Sequence, residues 1–140
     1  MSRALGLDLG SRRIGVAVSD RTATIASPLQ VLERTGSVKR DHLVVAALVV
    51  EEEAEIVVVG LPLNMNGTTG PVARAALDEA TALATVVNVP VVTFVERRTT
   101  VTADQAMLGA GMKAPARRRV VDKVAAAVML QSWLDAGSPR

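Results

Sequence analysis

Three carboxylates stand at positions of the chain where a charged side chain needs a physical explanation. Asp8 interrupts a short apolar run that is typical of a buried strand, and Glu96 directly follows the apolar run 91–95. Asp122 comes just before a nearly continuous apolar stretch, residues 124–130. Burying an unpaired carboxylate is costly, so Asp8 needs a partner or a metal ion.

Hydrophobic periodicity and turn residues predict the elements that would position these carboxylates. Short apolar runs are typical of strands, and apolar residues three and four apart are typical of helices. The predicted strands span 4–9, 14–19, 27–33, 56–59 and 91–95, the predicted helices span 37–53, 71–87, 99–108 and 120–134, and residues 60–70 and 109–119 are predicted loops. Pro28 places the third strand at an edge. This order predicts an α/β fold with a mixed five-stranded sheet and helices on both faces.

This topology could bring the three carboxylates to one place. Parallel strands end at the same edge of a sheet, where α/β sites form, and the last helix could carry Asp122 toward it. Three converging carboxylates repel one another, and a divalent cation relieves the repulsion. Because the chain has no cysteine, oxygen ligands and one or two Mg²⁺ or Mn²⁺ ions are favoured. Such ions support displacement at phosphorus, so Asp8, Glu96 and Asp122 are predicted to be both catalytic and metal-ligating.

Each carboxylate also has a purely structural interpretation. Asp8 could accept hydrogen bonds from turn amides, and Glu96 could pair with arginine at a solvated strand end. Asp122 could be a favourable charge in the first turn of the last helix. The single histidine, His42, is predicted to lie on the surface of the first helix, so a serine–histidine hydrolase is poorly supported.

Basic side chains are concentrated at the two ends of the chain. Residues 1–40 hold seven basic and three acidic side chains. Residues 41–96 hold one basic and eight acidic side chains, and residues 97–140 hold eight basic and three acidic ones. If both ends fold to one face, that face is positive although the net charge is only +2. The alternative is that these charges simply coat solvated helices.

Two groups of residues are predicted to contact phosphates. The charged contacts are Arg12, Arg13, Arg97, Arg98, Lys113, Arg117, Arg118 and Arg119, the last three interpreted as part of a mobile, phosphate-ordering loop. Asn64, Gly67 and Thr68, in the loop 60–70, could present backbone amides to a phosphate. The alternatives are a solubilising charge run for the three arginines and an ordinary loop for residues 60–70.

Length and composition limit the remaining choices. At 140 residues the chain is predicted to form one domain, 1–140. Its two aromatic residues, Phe94 and Trp133, fall in apolar segments and provide no platform for base stacking, so a nucleic acid would be recognised by backbone and shape. No apolar run is long enough to span a membrane and no signal-peptide pattern is present, so we expect a cytoplasmic protein without a membrane partner.

Four segments of the chain resemble the motifs of the YqgF-type family. They are residues 5–11 (LGLDLGS) with 13–20 (RIGVAVSD), residues 60–68 (GLPLNMNGT), residues 96–100 (ERRTT) and residues 122–126 (DKVAA). Members of this family are described as Holliday-junction resolvases and as pre-16S rRNA 5′-end nucleases, with an RNase H-like fold. The resemblance implies a nuclease that acts on pre-rRNA or branched DNA in ribosome biogenesis or junction resolution. The family's catalytic carboxylates would map to Asp8, Glu96 and Asp122.

The chain departs from the family pattern next to Glu96. Val95 stands where the family commonly has aspartate, and Arg98 stands where it commonly has leucine. The loss of an acidic neighbour favours, as an alternative, a non-catalytic nucleic-acid-binding or ribosome-assembly module. The DLGS turn also resembles the phosphate loop of actin-like ATPases and sugar kinases, but those proteins need two such domains. A junction resolvase would require two sites, hence a homodimer.

Overall fold

A single sheet forms the centre of the protein. The structure, a computed structural model, describes residues 3–62, 70–96 and 114–140, and of residues 96 and 114–120 it describes only the backbone. The strands are β1 (Arg3–Leu9), β2 (Arg13–Ser19), β3 (Ala26–Glu33), β4 (Ala54–Pro62) and β5 (Val91–Glu96), in the order β3-β2-β1-β4-β5. β1, β4 and β5 are parallel, whereas β2 pairs antiparallel with β1 and β3. The predicted mixed five-stranded sheet, with β3 at an edge, is confirmed.

Helices cover both faces of this sheet, as predicted. The described helices are α1 (Val38–Glu51), α2 (Pro71–Ala84) and α3 (Ala114–Asp135). The side chain of Ser37 caps α1 by accepting a hydrogen bond from the backbone N–H of Arg40 at 3.2 Å. Pro71 begins α2, because its fixed φ suits the first helical position. The predicted helix 99–108 lies outside the described residues.

Alternation along the strands divides the core into two clusters. Leu5 and Leu7 of β1 pack with α1 and α2 on one face, whereas Ala4 of β1 packs with α3 on the other. Strand β4, which lies between β1 and β5, is buried on both faces, and this explains its uninterrupted apolar run 56–59. The α3 face of β1 carries small residues, so the backbone of α3 can lie close to the sheet.

The last helix begins earlier than its pattern predicted. It starts at Ala114, not at Val120, so Arg117–Arg119 lie in its first two turns, and the prediction of a mobile loop there is wrong. Pro115 is tolerated because the first turn of a helix needs no N–H donor, and alanine and arginine favour the helix that follows. Asp122 consequently lies in the third turn and cannot act as a first-turn charge on the helix dipole.

Candidate active site

Asp8 lies near the carboxyl end of β1, on the face of the sheet that α3 covers. It is paired in register with Gly15 of β2 and is only partly exposed. The turn that follows is closed by the N–H of Gly10, which donates to the carbonyl of Arg13 at 2.9 Å. Asp8 is therefore placed by the two central strands, at the edge where parallel strands end.

Gly15 allows α3 to reach this part of the sheet. A Cβ atom at position 15 would overlap the backbone carbonyl of Asp122, so a residue other than glycine would push the helix away. Gly6, two residues before Asp8 on the same face, lies under Leu130 in a similar way: a Cβ atom added at position 6 would lie 3.0 Å from the Cβ of Leu130. These glycines bring Asp122 next to Asp8, although the two residues are 114 positions apart in the sequence.

The electrostatics of Asp8 reflect this position. Burial, and to a smaller extent the neighbouring charge of Asp122, together raise its pKa from 3.8 to about 6. The carboxylate of Asp8 is thus held in an environment that disfavours its own charge. A cation placed between Asp8 and Asp122 would remove the main electrostatic cost.

Arg13 provides positive charge on one side of the pair. Its Nε–H donates to Oδ2 of Asp122 at 2.6 Å, and this hydrogen bond raises the pKa of the guanidinium, which stays protonated. The sequence predicted Arg13 as a phosphate contact and did not predict this ion pair. Its neighbour Arg12 is exposed on the turn.

Glu96 reaches the same edge through the backbone. It is the last residue of β5 and is paired in register with Pro62 of β4. Phe94 packs in the α3-side cluster, so alternation places position 96 on the same face as Asp8. Val95, where the family commonly has aspartate, is on the other face and is 49% exposed. The departure at position 95 is therefore not on the face that carries the carboxylates.

The donor set suits a hard divalent cation, although the described side chains alone do not complete a site. Within residues 3–62, 70–96 and 114–140, no three His, Asp or Glu side chains group as metal ligands. Asp8 and Asp122 supply two oxygen donors whose mutual repulsion a cation would relieve, and position 96 ends β5, which β4 separates from β1, on the same face of the sheet. The residues present thus fit Mg²⁺ or Mn²⁺.

The remaining predicted contacts are distributed unevenly over the structure. Arg117–Arg119 belong to the end of α3 that precedes Asp122 in the chain. The other predicted contacts lie outside the described residues; these are Asn64, Gly67, Thr68, Arg97, Arg98 and Lys113. Among the described residues, no helix is long and apolar enough to cross a membrane.

His42 contradicts its prediction as a surface residue. It is 2% exposed, and its Nε2 lies 2.8 Å from Oε2 of Glu79 on α2. Arg34, just after β3, binds the same glutamate with two hydrogen bonds of 2.9 Å. The sequence did not indicate that His42 is buried, because a buried histidine needs a hydrogen-bond partner. Glu79 on α2 is that partner, and Arg34 after β3 holds Glu79 in place.

Comparison with known proteins identifies the family. A family model described as "RuvX: Holliday junction resolvase" matches residues 2–136. The chain belongs to the RuvX family. This confirms the resemblance to the YqgF-type family and places the chain among nucleases, the hydrolases that act on phosphodiester bonds.

Relatives with the curated name "Putative pre-16S rRNA nuclease" align over almost the whole chain. The one from Myxococcus xanthus is 44% identical over 137 residues, which are 98% of this chain and 90% of the relative. The one from Mycobacterium sp. strain KMS is 46% identical over 134 residues, 95% of this chain and 79% of the relative. The one from Clostridium kluyveri strain DSM 555 is 41% identical over 133 residues, which are 95% of this chain and 96% of the relative.

Solved structures of RuvC share the RuvX chain's fold. Thermus thermophilus RuvC in complex with a Holliday junction substrate matches with a TM-score of 0.58 and 21% identity, covering 97% of this chain and 96% of RuvC. A second Thermus thermophilus RuvC structure matches with a TM-score of 0.54 and 19% identity over the same shares. The RNase H-like fold is thereby confirmed.

Proposed function

We propose that this RuvX protein is a divalent-metal-dependent endonuclease that cuts structured RNA at the 5′ side of 16S rRNA during ribosome biogenesis. One observation carries the proposal. Asp8 and Asp122 converge at the carboxyl edge of the sheet, since Asp8 is paired with Gly15 and the backbone of Asp122 lies against Gly15; burial first and the charge on Asp122 second raise the pKa of Asp8 there. Arg13 compensates Asp122 but leaves Asp8 in an environment that favours a proton or a metal ion, and the family is one of nucleases.

Asp8, Asp122 and Glu96 would hold one or two Mg²⁺ or Mn²⁺ ions. When bound, the metal supplies an activated water and neutralises charge on the phosphate. Asp8 is mostly ionised above its pKa of about 6, so the site is ready for a cation at neutral pH. Arg13 orients Asp122 by fixing its Oδ2 and leaves the second oxygen available.

The substrate would be held by its phosphates. Arg12 is exposed on the turn beside Asp8, and Arg117–Arg119 lie in the turns of α3 that precede Asp122. Contacts of this type are independent of sequence and weaken steeply with salt. In the sequence, Asn64, Gly67 and Thr68 follow β4, Arg97 and Arg98 follow β5, and Lys113 precedes α3; these residues would add further contacts.

RNA is the preferred substrate because the relatives at 41–47% identity carry the name of a pre-16S rRNA nuclease. A cytoplasmic location follows from such a substrate. The family description favours a second candidate, cleavage of branched DNA. Symmetric cuts in a junction would require two sites and therefore a homodimer, whereas the trimming of one RNA end requires one site.

A cleavage assay with two substrates tests the proposal. Wild-type protein is incubated with a labelled RNA spanning the 5′ end of 16S rRNA and with a four-way DNA junction, each with Mn²⁺ or with a chelator. Asp8→Asn is compared with Asp78→Asn, a matched change at a carboxylate whose side chain is 75% exposed on α2. We expect metal-dependent RNA cleavage that Asp8→Asn lowers by at least about a hundredfold and Asp78→Asn leaves intact.

The other outcomes each contradict a definite part of the proposal. Chelator-resistant cleavage, or full activity of Asp8→Asn, would exclude the carboxylate–metal site. Cleavage of the junction alone would replace RNA by branched DNA as the substrate. Salt-sensitive binding without cleavage would favour the non-catalytic module. Metal binding has its own readout, because Mn²⁺ should raise the melting temperature of the wild type and of Asp78→Asn but not of Asp8→Asn.

A further inference from the structure

We infer that Arg34, Glu79 and His42 form a positioning network, which holds the turn between β1 and β2 in the geometry that cleavage requires. The inference rests on the proposed nuclease function, because it assigns a role in that reaction to three residues outside the carboxylate site. None of the three touches Asp8 or Asp122. They lie on the opposite face of the sheet, among β3, α1 and α2.

Arg34 clamps the turn from two directions. Its Nε–H donates to the carbonyl of Gly10 at 2.7 Å, and its backbone N–H donates to the carbonyl of Arg12 at 2.9 Å. The N–H of Gly10, in turn, donates to the carbonyls of Asp8 at 3.2 Å and Arg13 at 2.9 Å. One residue thereby anchors the short segment that joins Asp8 to Arg13.

Glu79 fixes the guanidinium that makes this clamp. Its two carboxylate oxygens each accept a hydrogen bond of 2.9 Å from Arg34, in the planar paired geometry that arginine alone provides. Both side chains are only 15% exposed, so the pair is shielded from water and from salt. An ion pair in that environment holds its geometry far more firmly than one on the surface.

His42 holds Glu79 from its other side. The ring is 2% exposed, and its Nε2 lies 2.8 Å from Oε2 of Glu79. Because the carboxylate can only accept, the ring donates this hydrogen bond through its Nε2–H. Hydrogen bonds and charge from Arg34 and His42 hold the pKa of Glu79 below its usual value despite burial. Helix α1, helix α2 and the end of β3 are therefore tied together at one carboxylate.

This network matters for catalysis because the turn connects Asp8 with Arg13, the residue that binds Asp122. Asp8 precedes the turn, and Arg13, which binds Asp122, follows it. A shift of the turn would displace Asp8, a proposed metal ligand. It would also displace Arg13, which orients Asp122, a second proposed metal ligand. Small displacements in such sites lower the rate of the chemical step by factors of up to about a hundred, with little effect on substrate binding.

Arg34→Lys is the first test, with Arg21→Lys as its matched control. The lysine keeps a positive charge beside Glu79 but cannot donate to Gly10 and to both carboxylate oxygens at once. Arg21 forms an ion pair of 2.8 Å with Glu53, but that pair is exposed and lies at the opposite edge of the sheet. Two quantities are measured: the single-turnover cleavage rate against substrate concentration, and deuterium exchange of the amides of residues 10–13.

We expect Arg34→Lys to lower the maximal rate by about ten- to a hundredfold, to change half-saturation by less than about threefold, and to accelerate exchange in the turn. Arg21→Lys should change none of these. If Arg34→Lys does not fold, Glu79→Gln is measured in the same way, since it keeps the shape of the side chain and removes the charge that fixes Arg34.

Two results would overturn the inference. Exchange in the turn that matches the wild type would show that the network does not hold it, whether or not the protein cleaves. A loss of rate that only follows the unfolded fraction, measured by thermal denaturation, would reduce the network to general stability. Failure of the nuclease proposal is recognised separately, because the wild type itself would then not cleave, while the exchange measurement still decides the role of Arg34.

Discussion

Arg13 donates its Nε–H to Oδ2 of Asp122 at 2.6 Å, and so joins the first residue of β2 to the third turn of α3. The pair brings a permanent positive charge to a carboxylate that would otherwise face Asp8 with no counter-charge. It therefore does two things at once. It orients one proposed metal ligand, and it offsets part of the repulsion that a metal ion would also offset.

Arg13→Gln should therefore bind Mn²⁺ more tightly than the wild type. Without the guanidinium, the charge of Asp122 is no longer offset. The free energy of Mn²⁺ binding should therefore become more favourable by about 1 kcal/mol, which is roughly a fivefold gain in affinity. Calorimetric titration measures this. Arg12→Gln, one residue earlier on the exposed turn, removes the same charge without touching Asp122 and should change the affinity by less than about twofold. Weaker binding in Arg13→Gln would mean that orientation of Asp122 outweighs its charge.

Asp8→Asn should stabilise the fold at neutral pH while it abolishes cleavage. The pKa of Asp8 rises from 3.8 to about 6 on folding, so the native state binds the proton more tightly than the unfolded chain. Its contribution to stability is present below pH 4 and is lost as pH rises through 6. At pH 7.5, in the absence of metal, the variant should be more stable by about 1 to 2 kcal/mol, allowing for partial exposure.

Denaturant unfolding at several pH values checks the sign of this effect. The stability difference between Asp8→Asn and the wild type should shrink toward zero between pH 6 and pH 4, because the protonated aspartate and the asparagine are both neutral. For Asp78→Asn, at an exposed side chain, the stability difference from the wild type should not change between pH 4 and pH 6. A difference that is constant with pH would contradict the view that ionisation of Asp8 is the cause.

The positions of Asp8 and Glu96 at one edge of the sheet were predictable, because each residue breaks or ends an apolar run. Asp8 stands within an apolar strand and Glu96 at the end of another, and parallel strands end at a common edge. The environment of Asp122 was less accessible to sequence reasoning. The pattern predicted a first-turn charge, whereas the helix starts at Ala114 and Asp122 lies deep within it, because Pro115 opens the helix and does not interrupt it.

The contacts that tune the site could not be predicted from the sequence. Arg13 and Asp122 are 109 positions apart, and Arg34 and Glu79 are 45 apart. Neither spacing has a periodic signature, since such pairs are created by the packing of separate elements. His42 was predicted to be a surface residue because it lies in the first helix, far in sequence from the carboxylates, and the sequence does not show that Arg34 and Glu79 lie nearby. Its burial became understandable only after both partners had been located.

Gly15→Ala should lower both stability and cleavage. The added Cβ would overlap the carbonyl of Asp122, so α3 must move away from β2 or the sheet must deform, at a cost of about 1 to 3 kcal/mol. Such a movement carries Asp122 away from Asp8, and the cleavage rate of the remaining folded protein should fall by at least about tenfold. Thermal unfolding and single-turnover cleavage measure the two effects separately.

Gly6→Ala provides the graded comparison for that prediction. Its Cβ would lie 3.0 Å from the Cβ of Leu130, under a later part of α3 and farther from the carboxylates. We expect a smaller loss of stability and near-normal cleavage by the folded fraction. Equal losses of cleavage in both variants would mean that α3 moves as a rigid unit, and that Gly15 has no special role at the site.

Arg117→Ala together with Arg118→Ala should weaken nucleic-acid binding uniformly across sequences and reduce its salt dependence. The helical backbone survives, because alanine favours a helix at least as strongly as arginine does. If each arginine neutralises one phosphate, the slope of log affinity against log salt should decrease in magnitude by about 1.4 to 1.8. Arg21→Ala together with Arg140→Ala removes two charges at the opposite edge of the sheet and should leave the slope unchanged. A slope that is unaltered by the first pair would exclude the start of α3 from the phosphate-binding surface, and would leave the turn at Arg12 as the principal described contact.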